Sequence, residues 1–202
     1  MLDNLNLKGV IHIGANIAQE ADLYETMSAK VIWIEALYNK ELSNKINSYQ
    51  NQFLINELVT DKDSQEYKFY ISNNNQSSSS ILKLKEHKEL WPEVSYTKEV
   101  TLVSKKLDSI ITENKINPEE YTTLILDTQG SELLILKGAK DYLKTCEQIV
   151  LEAPNFESYE NCPQVKDFDN LLSTMGFKQV KKECFKKNKQ KEYYDILYIK
   201  QP

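Results

Sequence analysis

Residues 8–16 read Lys8-Gly9-Val10-Ile11-His12-Ile13-Gly14-Ala15-Asn16, and residues 31–36 read Val31-Ile32-Trp33-Ile34-Glu35-Ala36. Each is a strand-length, β-rich apolar run that ends in a corner, one at a glycine and one at a carboxylate. Between them, residues 17–27 carry Ala21, Leu23, Tyr24 and Met27 at helical spacing. Strand, helix and strand in that order predict a parallel pair joined by a helical crossover.

The same rhythm continues outward. Residues 38–49 predict a helix through Leu42, Ile46 and Tyr49, residues 53–59 a third strand ending at Val59, and residues 60–63 a turn. Further on, 107–113 predict a helix, 122–126 a strongly apolar strand, and 131–143 a helix burying Leu133, Leu136 and Leu143. Residues 148–151 predict another buried strand, and 165–175 an amphipathic helix stopped by Gly176. Two last strands, 179–185 and 195–200, flank a lysine-rich turn in 178–191 that reads as a solvated hairpin tip. The expected fold is α/β, a mostly parallel sheet with a C-terminal antiparallel hairpin. At 202 residues a single domain, 1–202, is expected.

The middle departs from the alternation. Residues 66–71 and 98–103 predict strands of a β-rich insertion over 66–104. Between them lie the polar run 72–80 (SNNNQSSSS) and a charged, helix-like stretch to Leu90, on which His87 is expected to face solvent. The polar run is either a linker or a loop beside the active site.

Composition excludes several classes. The net charge is −5, and all 25 basic residues are lysine. Arginine is the usual reader of phosphates and guanine edges, so its absence argues against nucleic acid as substrate. No apolar run approaches the roughly 20 residues of a membrane span. Residues 1–5 show no signal peptide, so a cytoplasmic protein is expected. Cys146, Cys162 and Cys184 are odd in number and scattered, which fits free thiols. His12 and His87 are too far apart for a local ligand pair, and no paired-carboxylate motif calls for a metal; none is assigned.

Ligands of open α/β sheets bind at the carboxyl ends of the strands, near the point where strand order reverses. The polar residues at those ends are His12 to Asn16, Glu35-Ala36, Asp127-Thr128-Gln129-Gly130 and Glu152-Ala153-Pro154. One glycine at the first corner fails the dinucleotide fingerprint, and no P-loop occurs. Read by itself, the corner is a tight turn with Asn16 capping the helix. Glu35 stands about 20 residues on, where a carboxylate accepts both ribose hydroxyls of an adenosine. A glycine and a ribose acid without pyrophosphate glycines fit S-adenosylmethionine better than NAD. Asp127 is able to hold the aminoacyl end of that ligand, bind a metal, act as base, or cap the following helix. Glu152 and Asp195 are further bases, and Glu152 alternatively orients Asn155 or a backbone amide.

Several stretches, in unbroken order from about Lys8 to the C-terminus, resemble the FkbM family of methyltransferases. They are His12-Ile13-Gly14-Ala15-Asn16, Leu107-Asp108-Ser109, Asp127-Thr128-Gln129-Gly130-Ser131-Glu132-Leu133, Leu136-Lys137-Gly138-Ala139, Tyr159-Glu160-Asn161-Cys162 and Asp195-Ile196-Leu197-Tyr198-Ile199-Lys200. Ser78-Ser79-Ser80 and the Glu152 strand end are similar too. The resemblance implies a Rossmann-like class I fold, S-adenosylmethionine as donor, and O-methylation of a sugar or related small-molecule or glycan hydroxyl. Gly14, Asn16, Glu35 and Asp127 match cofactor-site positions of the family; with them His12, Ala15, Ala36 and Val59 make up the expected cofactor-facing set, and Asp127 and Glu152 are the expected catalytic carboxylates. Two departures stand out: Ala18 replaces a glycine usual in the family, and Glu192-Tyr193-Tyr194 replaces a glycine- and tryptophan-containing approach to the last strand. The alternative is a noncatalytic adenosine-ligand module that has lost its acceptor site.

Overall fold

The computed structural model describes Leu2 and residues 5–201. Of residues 1–5, where no signal peptide was read, Met1, Asp3 and Asn4 lie outside the described residues. In chain order the strands are β1 (Gly9–Ile13), β2 (Lys30–Glu35), β3 (Gln52–Asn56), β4 (Leu58–Val59), β5 (Glu66–Ser72), β6 (Tyr96–Lys105), β7 (Thr123–Leu126), β8 (Gln148–Pro154), β9 (Phe177–Asn188) and β10 (Lys191–Lys200). The helices are α1 (Ala21–Thr26), α2 (Lys40–Ile46), α3 (Leu107–Glu113), α4 (Glu132–Lys137), α5 (Tyr142–Thr145) and α6 (Val165–Thr174).

Seven strands form one sheet in the order β3-β2-β1-β7-β8-β10-β9. The first five are mutually parallel, and β10 runs antiparallel to both β8 and β9. The strand order reverses between β1 and β7, so a crevice opens at their carboxyl ends. Both faces are covered, as parallel sheets require. Ile11, Ile13, Ile32, Ile34, Leu124 and Leu126 pack on one side with Leu107, Ile135 and Phe168. The alternate residues Val10, Val31, Trp33 and Ile125 pack on the other with Tyr24, Leu42 and Ile46. Period-2 alternation therefore feeds two cores, each buried aliphatic contributing about 1.5–3 kcal/mol.

The structure corrects several sequence expectations. The helix expected over 17–27 begins only at Ala21, because Gly14, Asn16 and Ala18 all take left-handed backbone, with φ of 93°, 46° and 49°. The strand expected over 53–59 breaks after Asn56. Leu58–Val59 pairs with β6 in a separate three-stranded sheet, β4-β6-β5. The helix expected over 131–143 is interrupted at Gly138, where a Cβ would lie 2.2 Å from the Thr60 carbonyl oxygen. Only Glu86–Glu89 of the charged stretch is helical, as a single 3-10 turn. The hairpin strands are longer than expected and form the far edge of the sheet. Among the described residues no helix is long and apolar enough to cross a membrane.

Candidate functional site

A cavity of about 340 Å³ opens where β1, β2, β7 and β8 end. That falls within the roughly 300–1,000 Å³ of small-molecule sites. All nine sequence-predicted site residues (His12, Gly14, Ala15, Asn16, Glu35, Ala36, Val59, Asp127 and Glu152) border it.

Its first wall is the corner after β1. Gly14 and Ala15 donate their amides to the Ile34 carbonyl, locking the corner against β2. A Cβ on Gly14 would sit 1.8 Å from the Asp127 carbonyl oxygen, so only glycine lets β1 turn beside β7. Asn16 does not cap α1. Its backbone amide donates to Glu35 Oε2 at 2.9 Å, and its side-chain amide donates to Ser77 Oγ at 2.9 Å.

Glu35 thus faces the glycine corner rather than solvent. The Leu37 amide donates to its other oxygen, Oε1, at 3.0 Å. Both carboxylate oxygens are thus held by backbone amides while the group borders the cavity, where a carboxylate is able to accept from ribose hydroxyls. Burial raises its pKa, against the pull of the Leu37, Asn16 and Ala36 amides.

His12 contributes little chemistry. Its ring stacks on Trp33 at 4.5 Å, and Nδ1 lies 3.0 Å from the Tyr24 hydroxyl. Burial lowers its pKa to about 3, so the imidazole is a neutral core group.

Asp127 and Glu152 stand on adjacent strands. Gln129 Nε2 donates to Asp127 Oδ1 at 2.6 Å. Asp127 does not cap α4, whose N-cap residue Ser131 makes no side-chain cap hydrogen bond; Glu132, the first residue of the helix, instead accepts from the amides of Thr128 at 2.9 Å and Gly130 at 3.0 Å in the preceding turn. Burial, with repulsion among Asp127, Glu152, Asp195 and Glu132, holds both site carboxyls above the ordinary carboxylate range. Glu152 does not orient Asn155, whose amide and side chain bind the Glu192 backbone. Asp195 sits opposite Glu152 across the β8–β10 ladder and outside the cavity lining.

Of the remaining wall, the sequence offers the 72–80 run as one of two readings but gives no sign of His87, Trp91 or Tyr193. The 72–80 run is a hydrogen-bonded loop rather than a linker, held by Ser72 Oγ to Asn74 Oδ1 at 2.6 Å and by Ser80 Oγ to the Gln129 carbonyl at 2.8 Å. Asn74, Gln76, Ser77, Ser78 and Ser79 border the cavity. His87 does not face solvent: it is 1% exposed, stacked on Trp91 at 4.6 Å and tilted against Tyr159 at 5.2 Å. The 3-10 turn directs it inward, and the alternation of charges around it hid this. Tyr193, within the Glu192-Tyr193-Tyr194 departure, also borders the cavity and meets Trp91 edge-on at 5.6 Å.

A mostly parallel sheet with a reversed last strand and a carboxylate facing a glycine corner defines the class I methyltransferase type. The chain belongs to the FkbM methyltransferase family: the methyltransferase FkbM domain matches residues 12–179. S-adenosylmethionine is the methyl donor of this class. Similar solved structures share the fold at low identity. One is Sp1610 of Streptococcus pneumoniae, described as a candidate tRNA (m1A22) methyltransferase and solved with S-adenosylmethionine. It has 12% identity and a TM-score of 0.55 over 99% of this chain and 71% of that one. Another is the magnesium protoporphyrin IX methyltransferase of Synechocystis PCC 6803 with bound S-adenosylmethionine, with 10% identity and a TM-score of 0.51 over 98% and 72%. A third is the 1,6-didemethyltoxoflavin-N1-methyltransferase of Burkholderia thailandensis, with 7% identity and a TM-score of 0.50 over 97% and 72%. Comparison with curated protein sequences gives no match.

Proposed function

We propose that this protein transfers a methyl group from S-adenosylmethionine to a hydroxyl of a sugar or related small-molecule or glycan acceptor, and does not act on nucleic acid. The observation that carries the reading is Glu35, anchored by backbone amides at the glycine corner and bordering the cavity. In this reading Glu35 binds the ribose, the Gly14-Ala15-Asn16 corner takes the aminoacyl side, and Ala36 and Val59 flank the adenine. His12 supports the corner from behind.

When bound, S-adenosylmethionine supplies an electrophilic methyl on a positively charged sulfur. The protein's task is to hold the acceptor oxygen in line with that methyl and to receive its proton. Asp127 lies against the glycine corner, and Glu152 one strand further toward β10. Asp127, raised to about 7, suits a base working near neutral pH, and Glu152, also raised by burial and by its carboxylate neighbours, is the second carboxyl facing the acceptor. Activity as an enzyme, rather than as a binding module alone, is supported by the room beyond the corner, walled by His87, Trp91 and Tyr193.

The test is calorimetric titration with S-adenosylhomocysteine. Glu35→Ala is expected to abolish binding while the far-UV circular dichroism stays unchanged. Unaltered affinity would refute the ribose assignment.

A further inference from the structure

Among the described residues, five carboxylates border the cavity, those of Glu20, Glu35, Glu57, Asp127 and Glu152, and no lysine does. Their partners differ. Glu57 is paired with Lys105 at 2.9 Å, and Glu20 feels the charge of Lys45. Glu35 is satisfied by backbone amides. Asp127 and Glu152 have no cationic partner among the described residues; the neutral amide of Gln129 is what they share. Behind them stand more carboxylates, Glu132 on α4 and Asp195 on β10.

The bound donor, on the reading above, brings one net positive charge: a sulfonium and an ammonium against one carboxylate. That charge sits near the glycine corner, and so nearer Asp127. Glu152, displaced one strand toward β10, still faces the acceptor space without a counter-ion. Buried charges are tolerated when paired and costly when not.

A second feature of the same wall is an unsatisfied polar atom. His87 Nδ1 is buried without a hydrogen-bond partner, and the ring is fixed by stacking rather than by hydrogen bonds. Burial brings its pKa down to about 4, so it adds no positive charge at neutral pH. The wall therefore offers a neutral ring and, in Glu152, a carboxyl without a cationic partner, which burial biases toward its protonated form until a cation pairs with it.

We propose that the acceptor carries a protonated amine beside the reacting hydroxyl, as an amino sugar or similar amino alcohol does, and that Glu152 is the counter-ion holding that amine. The inference rests on the methyltransferase reading of the cavity. It also explains the direction of transfer. An ammonium held by Glu152 has no lone pair, so the hydroxyl is left as the nucleophile. An anionic acceptor, such as a sugar phosphate, meets repulsion from the same carboxylates.

The experiment uses the full chain saturated with S-adenosylhomocysteine, with binding of added sugars read by calorimetry and ligand-detected NMR. Binding of S-adenosylhomocysteine itself checks the cofactor reading first, so its failure overturns that reading and is told apart from failure here. Given that binding, glucosamine or galactosamine is expected to bind at least tenfold tighter than glucose, and glucose 6-phosphate more weakly than glucose. Glu152→Gln is expected to erase the amine preference while S-adenosylhomocysteine still binds. No binding of either amino sugar up to its solubility limit, equal binding of glucose and glucosamine, or a preference that survives in Glu152→Gln each overturns the proposal.

Discussion

The side-chain amide of Gln129 has a single consistent orientation: Tyr159 Oη donates to its Oε1 at 2.7 Å, while its Nε2 donates to Asp127 Oδ1 at 2.6 Å. A phenol fixed at the oxygen forces the donor end of the amide toward the carboxylate. Tyr159 is fully buried, so this orientation is held by the core rather than by solvent.

Removing that hydroxyl leaves the Gln129 oxygen without its donor and frees the amide to turn. Tyr159→Phe is therefore expected to cost about 1–2 kcal/mol of stability, the usual range for a lost buried hydrogen bond. Turnover is expected to fall about tenfold with little change in the KM for S-adenosylmethionine. Chemical denaturation and steady-state kinetics check the two effects separately, and an unchanged kcat would show that Gln129 orientation is irrelevant to catalysis.

Asp127→Asn separates function from stability. As a proton acceptor beside the corner, Asp127 is expected to contribute about 10²–10⁴ in rate, so the variant should be strongly impaired. A wild-type rate would exclude it as base and as essential cofactor contact.

The raised pKa values of Asp127 and Glu152 also fix the sign of a pH effect. Folded pKa values above those of the unfolded chain mean that folding favours the protonated acids. The contribution of the pair is fully present below the unfolded pKa values near about 4 and is lost as pH rises through the folded values. Asp127→Asn should accordingly stabilise the protein more at pH 8 than at pH 5. Urea midpoints at the two pH values measure this, and an equal shift at both would contradict the burial of the charge.

Ala18 occupies left-handed backbone, with φ of 49°, at a fully buried position. Alanine there costs about 1–2 kcal/mol in backbone strain, whereas its buried methyl returns about 0.8 kcal/mol. Ala18→Gly is thus expected to change stability by no more than about 1 kcal/mol. Ala18→Val, β-branched in a conformation such residues avoid, should destabilise by several times that. Thermal melting of the two variants gives the comparison; a well-tolerated valine would mean that the corner is less constrained than its dihedral angles indicate.

The sheet and the cofactor corner were legible early because their signals are local. Leu107–Glu113 and the strands around Gly14 and Glu35 matched the sequence reading to within a residue or two. Helix ends were less legible. Ala18 gives no sign of its left-handed backbone beyond standing where the family usually has glycine, and nothing near Gly138 announces the Thr60 carbonyl pressed against it. His87 departs from expectation for a related reason: the charged residues beside it suggest a solvated helix, but a 3-10 turn changes which side chain points inward.

By itself the sequence determined the alternation of short apolar strands and helices, the glycine required at position 14 and the carboxylate placed at the end of β2. Periodicity and turn chemistry act over a few residues, and such preferences survive in the linear text. Tertiary structure alone decided that the serine loop reaches Asn16, that His87 borders the cavity, and that Asp127 and Glu152 come together beside the Gln129 amide with Glu132 and Asp195 close by. Those are matters of strand order and long-range packing, in which each charge is set by what distant segments bring beside it.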